Sequence, residues 1–206
     1  MIPASPEFIA KIESYAAKHG GKVYAPLQHP DFDHLSSFHG HERRDIIFPL
    51  IEPEARTFLD IGANWGYWSR ALEEGGSDRQ ITAVEGSDGE AEFLKELHRL
   101  HENRFSIVVG DVLDLQDLNY DVVLAMAIFH HFLKTKKKFE RFVAFLQRME
   151  ARTMFFEAHD PKEGQMREAY RNMEPDEFAA FVAKHLRLKN VEHIGTVAKR
   201  RLYRMF

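Results

Sequence analysis

Residues 57–72 read TFLDIGANWGYWSRAL, and this stretch decides the fold. Thr57, Phe58, Leu59, Asp60 and Ile61 form a short, mostly apolar run of the kind buried in a parallel sheet. Gly62 and Gly66 bracket a tight turn, and from Trp65 to Leu72 the apolar residues resume at helical spacing. Glycine tolerates positive φ and lets a ligand approach bare backbone, while the amides opening the next helix point at whatever lies there. Strand, glycine turn and helix in that order make a cofactor seat.

The spacing of the turn selects the cofactor. A dinucleotide fingerprint is G-x-G-x-x-G, whose middle glycine clears room for a pyrophosphate. Here that position is Asn64, followed by the bulky Trp65, so a pyrophosphate fits poorly. Asp60, at the strand end, can accept hydrogen bonds from a ligand ammonium, a group that dinucleotides lack. In these residues the chain resembles the class I S-adenosylmethionine (SAM) methyltransferases, whose first motif is acidic-x-Gly-x-x-x-Gly. The wording D-I-G-A-N-x-G is similar to the FkbM-type and sugar O-methyltransferase branches, which share the Asn64 variant. The resemblance implies SAM as cofactor, held in part by Asp60, Gly62, Asn64, Trp65 and Gly66.

Composition bounds the remaining possibilities. A chain of 206 residues, 44% hydrophobic, can form one domain, and a domain of such size buries about 70% of its unfolded surface. It contains no cysteine, which excludes disulfides, zinc–thiolate sites and cysteine nucleophiles. The first 21 residues lack an apolar signal core, and no run approaches a membrane span, so a soluble, cytoplasmic protein is expected. A net charge of −4 argues against a broad nucleic-acid surface.

Ser5 as N-cap and Pro6 at the first helical position predict an amphipathic lid helix reaching Gly20-Gly21. The segment from Val23 to Asp45 shows no periodicity and reads as a surface loop near the cofactor mouth. Its His29, Asp31, Asp33, His34, His39 and His41 match no specific ligand spacing, so a polar loop is preferred to a metal site. Arg43 and Arg44 precede an apolar run. One of them, assigned here as Arg44, suits a bidentate clamp on a carboxylate such as that of the cofactor's methionine moiety; a solvated helix start is the other reading.

Gln80 to Glu85 reads as a second strand ending in an acid 19 positions beyond Gly66, where nucleotide-binding α/β units place a carboxylate for the ribose hydroxyls. Gly86 follows, and Ser87 to Glu90 has the form of a capping box opening a helix. After a strand at 105–109, the resemblance implies that Asp111 contacts the adenine amino group and Val112 packs on the ring. A fourth strand, Tyr120 to Met126, runs into Phe129-His130-His131. Ligands bind beyond the carboxyl ends of such strands, so Met126 should border the cofactor and His130 or His131 the reacting groups. A fifth strand ending at Glu157 and His159 lies beside the fourth in this topology. These four residues are the catalytic candidates; a metal-assisted transfer stays open, with no metal ligand assigned.

The helix predicted over 175–186 leads to Asn190–Val197 and Arg201–Phe206, a closing hairpin. A dehydrogenase would finish its sheet in parallel, whereas the resembled family ends antiparallel. The expected architecture is a seven-stranded α/β sheet, mostly parallel, with residues 1–55 as a cap and 56–206 as the SAM-binding domain. The expected function is methyl transfer to a small-molecule or saccharide oxygen. The combination of Tyr24-Ala25-Pro26, Arg43-Arg44-Asp45, Phe129-His130-His131 and F-F-E-x-H-D-P resembles the methyltransferase half of O-antigen chain-terminating methyltransferase–kinases, which implies a saccharide or its phosphate. The alternatives are an RNA methyltransferase, suggested by Lys134–Lys138 and Lys199-Arg200-Arg201, and a non-catalytic SAM-binding module.

Overall fold

A computed structural model describes residues 1–206. In chain order the elements are α1 (Pro6–Lys18), β1 (Lys22–Val23), β2 (Ser36–Ser37), α2 (Glu42–Ile47), β3 (Thr57–Ile61), α3 (Tyr67–Glu74), β4 (Gln80–Glu85), α4 (Asp88–Leu100) and β5 (Ser106–Val109). They continue with β6 (Asn119–Met126), α5 (Lys136–Arg148), β7 (Glu150–Glu157), α6 (Pro175–Leu186), β8 (Val191–Val197) and β9 (Arg200–Met205). No helix is long and apolar enough to cross a membrane.

Seven strands form one sheet in the order β5-β4-β3-β6-β7-β9-β8, parallel from β5 to β7, with β9 antiparallel to both its neighbours. The apolar runs of β3, β6 and β7 occupy its centre, where both faces are covered and period-two alternation is not needed. Adjacent residues Phe155 and Phe156 are both fully buried because they project to opposite faces. Phe156 joins Phe129, Phe142, Phe145 and Phe178 in the larger core under α5 and α6, while Phe155 joins Phe58, Leu72 and Phe105 on the other side.

The helix starts follow the chemistry of their caps. Ser5 Oγ accepts from the Phe8 amide at 3.2 Å, Thr135 Oγ1 from Lys138 at 3.3 Å, and Pro175 fills the first position of α6. At α4 the box is half as expected. Ser87 Oγ accepts from the Glu90 amide, but the reciprocal carboxylate on the Ser87 amide belongs to Glu85, at 2.8 Å.

The cap differs from its sequence reading in two ways. The segment read as loop contains the parallel pair β1–β2 and the six-residue α2, elements too short to impose a periodicity. The helix expected as a lid is packed down instead: Phe8, Ile12 and Ala16 of α1 share one buried cluster with Trp65 of the glycine turn and Leu97 and Leu100 of α4.

Candidate active site

The strand order reverses between β3 and β6, which opens a crevice at the carboxyl ends of the parallel strands. Two hollows lie there and share Gly62 as a common wall. The larger, a cleft of about 530 Å³, is bordered by Glu85, Gly86, Asp111, Val112, His131 and Lys138 among others. The narrower, about 50 Å³, lies between the glycine turn and the cap, bordered by Tyr24, His39, Arg43, Asn64, Met126 and Glu157.

The turn is held by its own strand ends. Gly62 (φ 72°) and Gly66 (φ 81°) adopt left-handed backbone, and a Cβ on Gly66 would come within 2.6 Å of Leu94 Cδ1. Asn64 takes the same region at φ 50°, fixed by its amide, which donates to Glu85 Oε2 at 2.8 Å. Glu85 thus accepts one backbone N–H from each flanking loop and keeps spare lone pairs on both oxygens. Glu90 receives the Trp65 indole N–H and, at 3.4 Å, the Asn64 side-chain amide, while the Trp65 ring stacks on Phe93. Asp60 lies beneath the turn, 2% exposed, and accepts from Ser69 Oγ at 2.6 Å; burial pushes its carboxyl up to about 6.

Residues 58–151 match a family described as a methyltransferase domain. The matched stretch runs from β3 through the glycine turn into β7 and makes up a little under half of the chain. Among solved structures the chain is similar in fold to the bifunctional kinase-methyltransferase WbdD, with a TM-score of 0.72 and 15% identity over 93% of this chain and 45% of WbdD. It thus spans a little under half of that protein's length. The N-terminal domain of EvdMO1, solved in the presence of SAH and D-fucose, gives a TM-score of 0.65 at 15% identity over 95% of each chain. PigF with SAH gives 0.55 at 19% identity, over 74% of this chain and 50% of that one. No curated protein sequence matches the chain.

The residues singled out from sequence for the cofactor divide among three places. Gly62, Glu85, Gly86, Asp111 and Val112 border the larger cleft; Gly62, Asn64, Trp65 and Met126 border the narrower one; Asp60 lies under the turn and Gly66 closes it. Asp111 caps the Leu113 amide at 3.0 Å and pairs with Arg141 at 2.9 Å. Arg44 is a correction: its guanidinium lies 3.4 Å from Asp45 and borders neither hollow, because its neighbour Arg43 takes the inward face of α2.

Arg43 is committed elsewhere. Its Nε and Nη2 donate to Glu157 at 2.7–3.0 Å, and its Nη1 reaches His39 Nδ1 at 3.3 Å. The contact to Nδ1 leaves the proton of the neutral His39 ring on Nε2, and burial together with Arg43 lowers the ring's pKa.

The expected convergence of His130, His131, Glu157 and His159 is only partial. The rings of His130 and His131 are 4.1 Å apart, and those of His130 and His159 are 5.9 Å apart. Glu157 instead turns to Arg43, and no three His, Asp or Glu side chains are placed to hold a metal ion. His131 borders the larger cleft, and His159 Nε2 donates to Asn172 Oδ1 at 3.0 Å. Burial pushes His130 down to about 3, helped by the neighbouring His131, Arg200 and His159, and lowers His131 and His159 as well. Of the four, only Glu157 borders the narrow hollow.

Sequence reasoning overlooked His39, Arg70 and Lys138 as site residues. Arg70 carries a readable signal, since it falls among buried positions of α3, where a cation needs a reason. Lys138, read as part of a solvated face, borders the larger cleft through the first turn of α5.

Proposed function

We propose that this chain is a SAM-dependent methyltransferase acting on a hydroxyl oxygen of a small-molecule or saccharide acceptor. The observation that carries the proposal is the pair of hollows meeting at Gly62, one bordered by Glu85 and the other by Met126, Glu157 and His39. The residues present fit SAM. Glu85 offers spare carboxylate lone pairs in the larger cleft, and Asn64 Oδ1 is a buried acceptor without a partner in the narrower one. When bound, SAM supplies a sulfonium-activated methyl group.

The chain's own contribution is alignment. Glu157, clamped by Arg43, has a fixed orientation and can accept the acceptor's hydroxyl hydrogen, which aims an oxygen lone pair along the hollow. His39 Nε2–H and the Tyr24 ring border the same space and suit a polar acceptor such as a sugar. We place residues 1–55 as the cap that shapes acceptor choice and 56–206 as the cofactor domain. His131 supports the cofactor side, and His130 and His159 pack behind the β6 and β7 tips. A saccharide phosphate is a poorer acceptor for the narrow hollow, because the Arg43 charge there is already matched by Glu157. Arg200 and Arg201, in the cluster that suggested RNA, are paired with Glu163 and Asp176.

The test is transfer of a labelled methyl group from SAM to a panel of sugars, small phenols and alcohols, and RNA. Labelling of a hydroxyl compound that falls at least about tenfold in Glu157→Gln supports the proposal; labelling of RNA alone, or of nothing across a broad panel, contradicts it.

A further inference from the structure

Between Glu157 at the end of β7 and Pro175 at the start of α6 the chain makes one long connection, broken by a single short helical turn at Gly164–Met166. It exceeds the roughly 12–15 residues beyond which a loop in a compact domain is uncommon and usually functional. Its fastenings are polar. Glu163 accepts from Arg200 Nε and Nη2, both at 2.8 Å, from the Asp160 amide at 3.1 Å and from the Gln165 side chain at 2.7 Å. Asn172 accepts from His159 and donates to the Pro161 carbonyl at 2.9 Å, and the Tyr170 and Arg171 amides donate to the Lys134 and Leu133 carbonyls. Between Asp160 and Asn172 Met166 is the one buried residue. A segment with so little apolar burial opens locally at low cost.

Beneath this segment two buried ring nitrogens, His130 Nε2 and His159 Nδ1, have no partner. Asn172 fixes the proton of neutral His159 on Nε2, so its Nδ1 is a bare lone pair. Neither ring takes part in the proposed methyl transfer. Facing His130 are His131, His159, Arg200 of β9 and Glu163 of the connection; facing His159 are Glu163, Asp160 and Arg200, while Phe178 of α6 brings no charge. Burial and the Arg200 charge keep both rings neutral while the connection lies over them. Glu163 is lowered to about 2, its contacts with Gln165 and Arg200 outweighing burial, and so stays charged as the histidines titrate.

We propose that residues 159–172 form an acid-released lid over the β6 and β7 tips, closed while His130 and His159 are neutral and lifted when they take up protons. Lifting brings both orphaned nitrogens into water and ends the cost of burying them unpaired. A ring that is hard to protonate under the lid and ordinary in water favours the open form as pH falls below about 6.5. The lid is tied to Arg200, whose charge also reaches Tyr24 and His39 at the narrow hollow, so its release loosens the acceptor side of the crevice. The device goes beyond the methyl-transfer reading and stands whichever acceptor is used.

The test is hydrogen exchange of the Tyr170 and Arg171 amides at pH 7.5 and pH 5, on protein free of SAM and S-adenosylhomocysteine (SAH). Rates are corrected for the intrinsic effect of pH and compared with β6 amides, which report global unfolding. Relative to β6, protection of the two lid amides should fall by about tenfold or more at pH 5. Asn172→Ala should lower it already at pH 7.5, and the double variant His130→Phe with His159→Gln should lose the pH dependence. Equal relative protection of the wild-type lid at both pH values overturns the proposal without needing a variant to fold. A pH dependence that survives in the double variant overturns it too, because another group then drives the opening.

Discussion

Arg43 of α2 and Glu157 at the end of β7, 114 positions apart, meet in an ion pair of 2.7 Å with both side chains almost fully buried. The pair ties the cap to the sheet at the mouth of the narrow hollow. Removing one partner strands the other charge, which costs about 3–5 kcal/mol, whereas removing both costs much less. Arg43→Met should therefore lower stability strongly, and Arg43→Met combined with Glu157→Met should recover a good part of the loss. Denaturant unfolding of the two single variants and the double variant measures this; additive losses would show that the pair is not coupled.

Glu85 should contribute to cofactor affinity through charge-assisted hydrogen bonds. Glu85→Ala is expected to weaken SAH binding by about 1.5–3 kcal/mol by calorimetric titration. Unchanged affinity would remove it from the ribose site.

The buried histidines set the acid response. A ring whose folded pKa is lowered takes up a proton on unfolding, so its stabilising contribution is whole above the unfolded value and is lost as pH falls towards the folded one. For His130 that window runs from 6.5 down to about 3, and for His101 from 6.5 down to about 4. Asp60 has the opposite sign, since its carboxyl is raised from 3.8 to about 6 and loses stabilisation as pH climbs through that range. With His39, His131 and His159 also lowered, the histidines outnumber it. Stability should rise from pH 4.5 to 7, and His130→Gln should reduce proton uptake on unfolding near pH 5 by about one. A flat profile, or one unchanged by the substitution, would contradict the neutral, buried ring.

Gly66 has both positive φ and a neighbour in the way. Gly66→Ala should cost about 1–3 kcal/mol of stability and weaken SAH binding, because the clash with Leu94 reaches the turn. Thermal unfolding with and without SAH separates the two effects.

What was legible in the sequence was local. The strand–turn–helix around Gly62 and Gly66, the acid at Glu85 and the Pro175 helix start each depend on residues a few positions apart, and each has its own pattern. The closing hairpin was legible because two strand-like segments are joined by a short connection. The Arg43–Glu157 pair was not, since nothing at either position announces a partner 114 residues away. The same holds for Glu85 completing the α4 cap and for α1 packing on Trp65, where tertiary contacts decide between equivalent local choices. Four catalytic candidates were read from two strand tips, but sequence spacing does not say which way a side chain leaves a tip. Only Glu157 faces the narrow hollow.

The central claim is that the crevice at Gly62 holds SAM. Calorimetric titration of the purified protein with SAH and, in parallel, with NADH tests it most directly. The account predicts micromolar binding of SAH and none of NADH; binding of NADH alone would contradict the reading of Asn64, Glu85 and the antiparallel β9 together.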